Sequence, residues 1–161
     1  MKIARYAPLL KALVVLFTIN LISDHVVQLS QVNAVVDSLS LSDALAMSRH
    51  LPKFWTGLLV PLCYLAALWA TSNWLKNLDQ TLPNLSDAFK GLVPIGNYLV
   101  YAAIAALFLV PTLESWINLG GRGFKLEWAI EPVVIGLIGS ALKLVGKNCA
   151  ALDEGLAAKS D

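Results

Sequence analysis

Charged side chains are scarce in this sequence of 161 residues: Asp, Glu, Lys and Arg make up 14% of it, whereas apolar residues make up 57%. An average soluble domain carries about 25% charged and about 45–50% apolar residues. The net charge is only +1, so no overall field attracts nucleic acid. With a mean hydropathy of +0.66, the composition favours a membrane protein that does not bind nucleic acid.

Cysteine is almost absent too. Cys63 and Cys149 are too few for a disulfide framework, and they lack the spacing of zinc ligands. We expect two free thiols that serve as small packing residues. The motifs of common enzymes are also missing, including a nucleophile elbow, a phosphate-binding glycine loop and an intramembrane Ser–His pair. The sequence therefore predicts neither catalysis nor a cofactor.

Four long apolar runs are what the sequence does contain. They cover residues 8–29, 55–75, 92–117 and 128–145, and a bilayer span needs about 20 such residues. None of the connections is long enough for a second domain. We predict an all-α polytopic membrane protein, in which residues 1–161 form one integral domain built as a bundle of four transmembrane helices. Pro94 and Pro111 are expected to begin, end or kink the third helix.

The connections have turn and cap signals. Residues 42–51 are predicted to form a short interfacial helix capped by Ser42. Pro83 breaks the second connection, and Asn84 or Ser86 is expected to cap the next helix. The third connection, with the sequence "NLGGRGFKLE", is expected to be a glycine-rich turn.

Lys and Arg predict the orientation, because positive residues are retained on the cytoplasmic side. With the N-terminus inside, eight lie on the cytoplasmic side and four outside. The cytoplasmic set is Lys2, Arg5, Lys11, Lys76, Lys90, Lys143, Lys147 and Lys159; the external set is Arg49, Lys53, Arg122 and Lys125. Both termini are therefore predicted to be cytoplasmic, in the inner membrane of a bacterium.

Tryptophans support the limits of these spans. Trp55, Trp74, Trp116 and Trp128 fall at predicted span ends, where an amphipathic ring settles among lipid headgroups, and Trp69 lies deeper.

The N-terminus allows a second interpretation. "MKIAR" followed by the apolar residues 12–23 resembles a signal peptide, with a cleavage site at residues 32–34. About ten mixed residues separate the apolar core from that site, which is long for a signal peptidase substrate. We expect an uncleaved first helix.

Ionisable residues of different segments share one predicted level of the membrane. Asp24 and His25 lie toward the outer end of the first span, Glu114 near the outer end of the third, Glu131 in the first turn of the fourth, and His50 just before the second. In one interpretation they converge on a metal ion or a proton. In the other, which we favour, each reaches the headgroups separately, and Glu131 stabilises the positive end of its helix.

Small residues form a stripe on the fourth span. Gly136, Gly139, Gly146 and Ala150, together with Lys143, recur at spacings of three and four, so they share one face of the helix. We predict a helix-packing face, whose partner is either another helix of the chain or a second copy.

The second half of the sequence resembles a known family. The stretches that carry the resemblance are "LPNLSDAFKGLVPIGNYLVYAAIAALFLVP" and "IGLIGSALKLVGKNCAALDEGLAAK". They are similar to uncharacterised bacterial four-helix integral membrane proteins, a domain of unknown function often encoded beside a small helix-turn-helix regulator. The resemblance implies a fold and no activity.

Three functions suit such a chain. The first is a non-enzymatic accessory subunit or regulator that contacts a membrane protein partner within the lipid bilayer. The second is a small transporter or channel for cations or protons, formed as a homo-oligomer. The third is an immunity protein against a pore-forming bacteriocin.

Overall fold

Helices make up all of the regular structure in the part of the chain that the computed structural model describes, residues 6–35, 52–81, 85–119 and 123–157. The elements are α1 (Ala7–Val35), α2 (Pro52–Thr81), α3 (Leu85–Lys90), α4 (Leu92–Ile104), a π-helical turn (Ala105–Leu109), α5 (Val110–Leu119) and α6 (Ile130–Ala157). The predicted interfacial helix after Ser42 and the predicted cap Asn84 lie outside the described residues.

Four stretches of helix are long and apolar enough to cross a membrane. They are Ala7–Asp24, Trp55–Leu78, Ser86–Ile117 and Ile130–Leu152. The predicted all-α class with four membrane-spanning helices is confirmed, and the chain is a membrane protein.

The helices pack in a row. In the described part, α1 packs on α2, α2 packs on α4 and α5, and α4 packs on α6, which also receives α3. Neither α1 and α4 nor α1 and α6 form a comparable contact there. The bundle is therefore open, with α1 and α6 at its two edges.

Two tryptophans of α2 mark the two ends of the bundle. Trp55 and Trp74 are 19 residues apart, which corresponds to about 28 Å of helix, close to the roughly 30 Å of a hydrocarbon core. We call these levels the Trp55 end and the Trp74 end. Helix α1 begins at the Trp74 end, because the Ser72 hydroxyl donates a hydrogen bond to the Ala7 carbonyl at 2.9 Å.

The third span contains a π-helical turn, and a proline explains it. The Val110 N–H donates to the Ala105 carbonyl, one residue further back than in an α-helix. Pro111 follows directly, and a proline ring collides with the carbonyl four residues before it, here that of Leu107. The wider turn relieves this collision. Pro94 lies in the first turn of α4, where a proline is tolerated.

The Leu107 carbonyl loses its helical donor, because Pro111 has no N–H. It accepts a hydrogen bond from the backbone N–H of Glu127 instead, at 3.1 Å. Glu127 belongs to a non-helical segment, Gly123–Ala129, which runs back along α5. The Thr112 hydroxyl holds the same segment: it donates to the Lys125 carbonyl and accepts from the Lys125 N–H, both at 3.1 Å.

Aromatic contacts secure the beginning of this segment. The Trp116 indole N–H donates a hydrogen bond to the Gly123 carbonyl at 2.9 Å. The ring centres of Trp116 and Phe124 are 6.2 Å apart. The returning segment delays the fourth helix, which begins at Ile130 and not at Trp128 as predicted. The residues predicted as a turn thus partly form a segment that lies against the third span.

Candidate functional site

A polar pair lies on the exposed side of α1. The Asn20 amide donates a hydrogen bond to the Asp24 carboxylate at 3.1 Å, and both side chains are exposed. They are four residues apart, so they stack on one helix face. No cation among the described residues forms an ion pair with Asp24.

The pair borders a cavity between α1 and α2, with a volume of about 390 Å³. Phe17 and Leu21 of α1 and Pro61 and Tyr64 of α2 are among its lining residues. Pro61 is six residues from Trp55, so the cavity lies about 9 Å inside the Trp55 end. The Asp24 carboxylate therefore faces a pocket that is otherwise largely apolar.

Glu131 lies near the same level, in the first turn of α6. Its side chain is exposed. A carboxylate in the first turn also interacts favourably with the positive end of its own helix.

Glu114 lies further out. It follows Leu107 by seven residues on the third span, which is about 10 Å along the helix. Helix α6 leaves the Leu107 level in the opposite direction, because Glu127 is bonded there and Glu131 follows it. The structure therefore separates Glu114 from Glu131.

A metal site does not form among the described side chains: no three His, Cys, Asp or Glu residues gather closely enough to hold an ion. The side chain of His25 and the whole of His50 lie outside the described residues. The four-residue metal pocket of Asp24, His25, Glu114 and Glu131 stays a prediction.

The glycine stripe of α6 lies against α4. A Cβ atom placed on Gly139 would be 2.8 Å from the Gly96 carbonyl oxygen and 3.0 Å from the Val100 backbone nitrogen. A Cβ on Gly96 would in turn collide with the Gly139 carbonyl. The two backbones touch because neither residue has a side chain. The glycine stripe of α6 therefore packs on another helix of the same chain.

The stripe continues on both sides of Gly139. A Cβ on Gly136 would be 3.0 Å from the Ala103 methyl group, and one on Gly146 would be 2.8 Å from the Phe89 carbonyl. Ala150, one turn further on, is buried. From Gly136 to Ala150, α6 thus approaches α3 and α4 closely.

Sequence reasoning missed Asn20 and Tyr64 as members of the site around Asp24. The spacing of Asn20 and Asp24 was a usable signal, because amide and carboxylate side chains four residues apart meet on a helix. No comparable signal identified Tyr64, since its position depends on how α2 packs on α1.

Compared with models of known protein families, with curated proteins and with solved structures, the chain matches none of them.

Proposed function

We propose that this chain is a non-enzymatic accessory subunit or regulator that binds a membrane protein partner through the exposed face of α1. The observation that carries the proposal is the Asn20–Asp24 pair, which is exposed at the Trp55 end of the first span. A carboxylate at the centre of a lipid-facing helix costs about 2.5–3.5 kcal/mol, and less toward the interface. A partner helix with a donor or a cation at this level offsets that cost.

The position of α1 supports the same proposal. It packs on α2 alone in the described part, so most of its circumference is open to lipid or to another protein. Polar side chains act as contacts between helices in membranes, each worth about 0.6–2 kcal/mol. The cavity beside the pair offers room for a side chain of the partner.

The proposal includes a location. The split of Lys and Arg favours an orientation with both termini in the cytoplasm. The resemblance to uncharacterised bacterial four-helix membrane proteins supports the inner membrane of a bacterium.

Site-specific photo-crosslinking tests the partner. A photoreactive phenylalanine replaces Phe17, which borders the cavity, and for comparison Phe108, which is similarly exposed on the third span. We expect a discrete protein product from position 17 in native membranes and none from position 108. Adding Asp24→Leu should remove the product, whereas Leu137→Ala, on an exposed face of α6, should not. Identical patterns from both positions would contradict the proposal.

A second candidate is an oligomeric transporter for cations or protons. It is favoured by one observation, namely that Asp24 and Tyr64 line one cavity. Acidic and hydroxyl groups within a span mark ion and proton pathways in many transporters. A crosslinked product of twice the chain mass from position 17, together with cation flux in liposomes, would favour this candidate over the first.

A further inference from the structure

A second cavity, of about 670 Å³, opens toward the Trp74 end. Its floor is one face of α2, while Val14 of α1 forms one wall and Pro94 and Tyr98 of α4 form the other. It exists because α1 and α4 both pack on α2 but make no comparable contact with each other. We call it the lipid-side cleft, since no described helix covers it.

The floor of the lipid-side cleft changes polarity along its length. Leu62, Leu65 and Ala66 form the part nearest the middle of the bundle. Asn73 and Asn77 form the part at the Trp74 end, where the Asp87 carboxylate joins them. An apolar stretch that ends in amides and a charge has the polarity profile of a phospholipid molecule.

Aromatic rings occupy the transition between these parts. Trp69 and Trp74 of α2 lie there, and Tyr98 faces them from α4. Such rings favour the boundary between hydrocarbon and headgroups. The floor from Leu62 to Asn73 covers 11 residues of α2, which corresponds to a length of about 16 Å. Half of a hydrocarbon core is about 15 Å thick. The cleft therefore matches one leaflet in length.

A cation lies at the transition. The Lys11 ammonium is 5.2 Å from the centre of the ring of Trp69, which lines the cleft. Val14, three residues later on the same face of α1, lines the cleft directly. Lys11 thus lies beside the cleft, close enough to attract the phosphate of a lipid whose acyl chain runs along Leu62 and Ala66. At the polar end, Lys90 lies 3.6 Å from the Asp87 carboxylate, so both charge signs are available there.

We propose that the lipid-side cleft binds one phospholipid of the leaflet at the Trp74 end. An acyl chain lies on the leucine and alanine floor, the phosphate pairs with Lys11, and the rest of the headgroup meets Asn77 and Asp87. The proposal is independent of the partner proposed for α1.

The test measures lipid retention by the full chain in mild detergent. The protein is stripped of lipid, incubated with phosphatidylethanolamine, phosphatidylglycerol or phosphate-free diacylglycerol, and examined by native mass spectrometry. We expect one tightly retained molecule of either phospholipid and little diacylglycerol. Equal retention of diacylglycerol would overturn the role of the phosphate, and no retention of any of the three would overturn the cleft as a lipid site.

Two variants locate the site. Ala66→Phe fills the apolar floor and should abolish retention, and its matched control is Ala141→Phe on an exposed face of α6. Lys11→Gln keeps much of the side-chain stem but removes the charge, so the retained fraction should fall about fivefold, as expected for one Lys near a lipid phosphate. Its control is Lys147→Gln, which is exposed on α6.

If Ala66→Phe fails to fold, as judged by circular dichroism, lipid retention by Lys11→Gln alone tests the site. Retention by Lys11→Gln equal to that of Lys147→Gln would overturn the proposal.

Discussion

The α4–α6 contact and the α1–α2 contact join neighbouring spans in different ways. At the first, glycines on both helices bring the backbones together, and Gly139 touches Gly96. At the second, a long-range hydrogen bond from Ser72 anchors the beginning of α1, and cavities remain beside the helix. The comparison separates a rigid side of the bundle from a side that leaves room for lipids and other proteins.

Packing density accounts for this difference. Without a hydrophobic force between helices in lipid, association depends on van der Waals contact and on hydrogen bonds. The small residues of α6 allow close van der Waals contact with α4. In contrast, α1 presents large apolar side chains such as Leu16 and Ile19 to its surroundings. We therefore expect substitutions on the packed face of α6 to destabilise the protein more than substitutions on α1.

The largest effect should come from Gly139→Leu. The new side chain meets backbone atoms of Gly96 and Val100, which cannot move aside as a side chain can. We expect a loss of about 1–3 kcal/mol, the usual cost of overpacking. Thermal unfolding in detergent measures it. Leu137→Ile, at a position 65% exposed on the same helix, is the control, and equal stability of both variants would refute the contact.

Thr112→Val should have the next largest effect. It removes a hydroxyl that bonds both the N–H and the carbonyl of Lys125, and each lost hydrogen bond is worth about 0.5–1.5 kcal/mol. Hydrogen exchange of residues 123–129 should increase. Thr18→Val is the control, since the Thr18 hydroxyl bonds only the Val14 carbonyl of its own helix. Unchanged exchange in Thr112→Val would show that the segment is held by other contacts.

Ser72→Ala tests the weaker side of the comparison. Ser72 is fully buried and bonds the Ala7 carbonyl. A hydrogen bond between membrane helices contributes about 0.6 kcal/mol, so global stability should change little while proteolysis near residue 7 accelerates. The neighbouring Thr71 bonds the Ala67 carbonyl within α2, and Thr71→Val should leave proteolysis unchanged. If both variants are cleaved equally fast, Ser72 does not anchor α1.

The smallest effect on stability is expected from Asp24→Asn. The pair with Asn20 is exposed, and exposed polar contacts contribute little. Melting curves of wild type and variant in detergent between pH 5 and 8 should superimpose, with or without zinc or manganese. A metal-induced stabilisation that only the wild type shows would instead support the predicted metal pocket.

Much of the fold could be predicted from composition alone. Apolar runs of sufficient length gave the four membrane-spanning helices, because the bilayer sets their length. The glycine spacing on α6 also indicated a packing face. What could not be predicted is the row of helices, since the first two spans are apolar all round and their periodicity does not reveal their neighbours.

The candidate site was harder to predict from the sequence than the fold. Counting residues predicted a shared level for Asp24 and Glu131, but the cavity around Tyr64 depends on the packing of α1 on α2. Pro111 was recognised as a helix disruption, yet its consequence lies 16 residues later, at Glu127. A bond between such distant residues cannot be inferred from either local pattern.

The bond between Glu127 and the Leu107 carbonyl has a consequence for biogenesis. A third span that entered the bilayer alone would carry a Leu107 carbonyl without its α-helical donor, because Pro111 occupies that position. An unsatisfied backbone group in hydrocarbon costs several kcal/mol. The third and fourth spans are therefore expected to leave the insertion machinery together, as a preassembled hairpin in which the later span completes the earlier one.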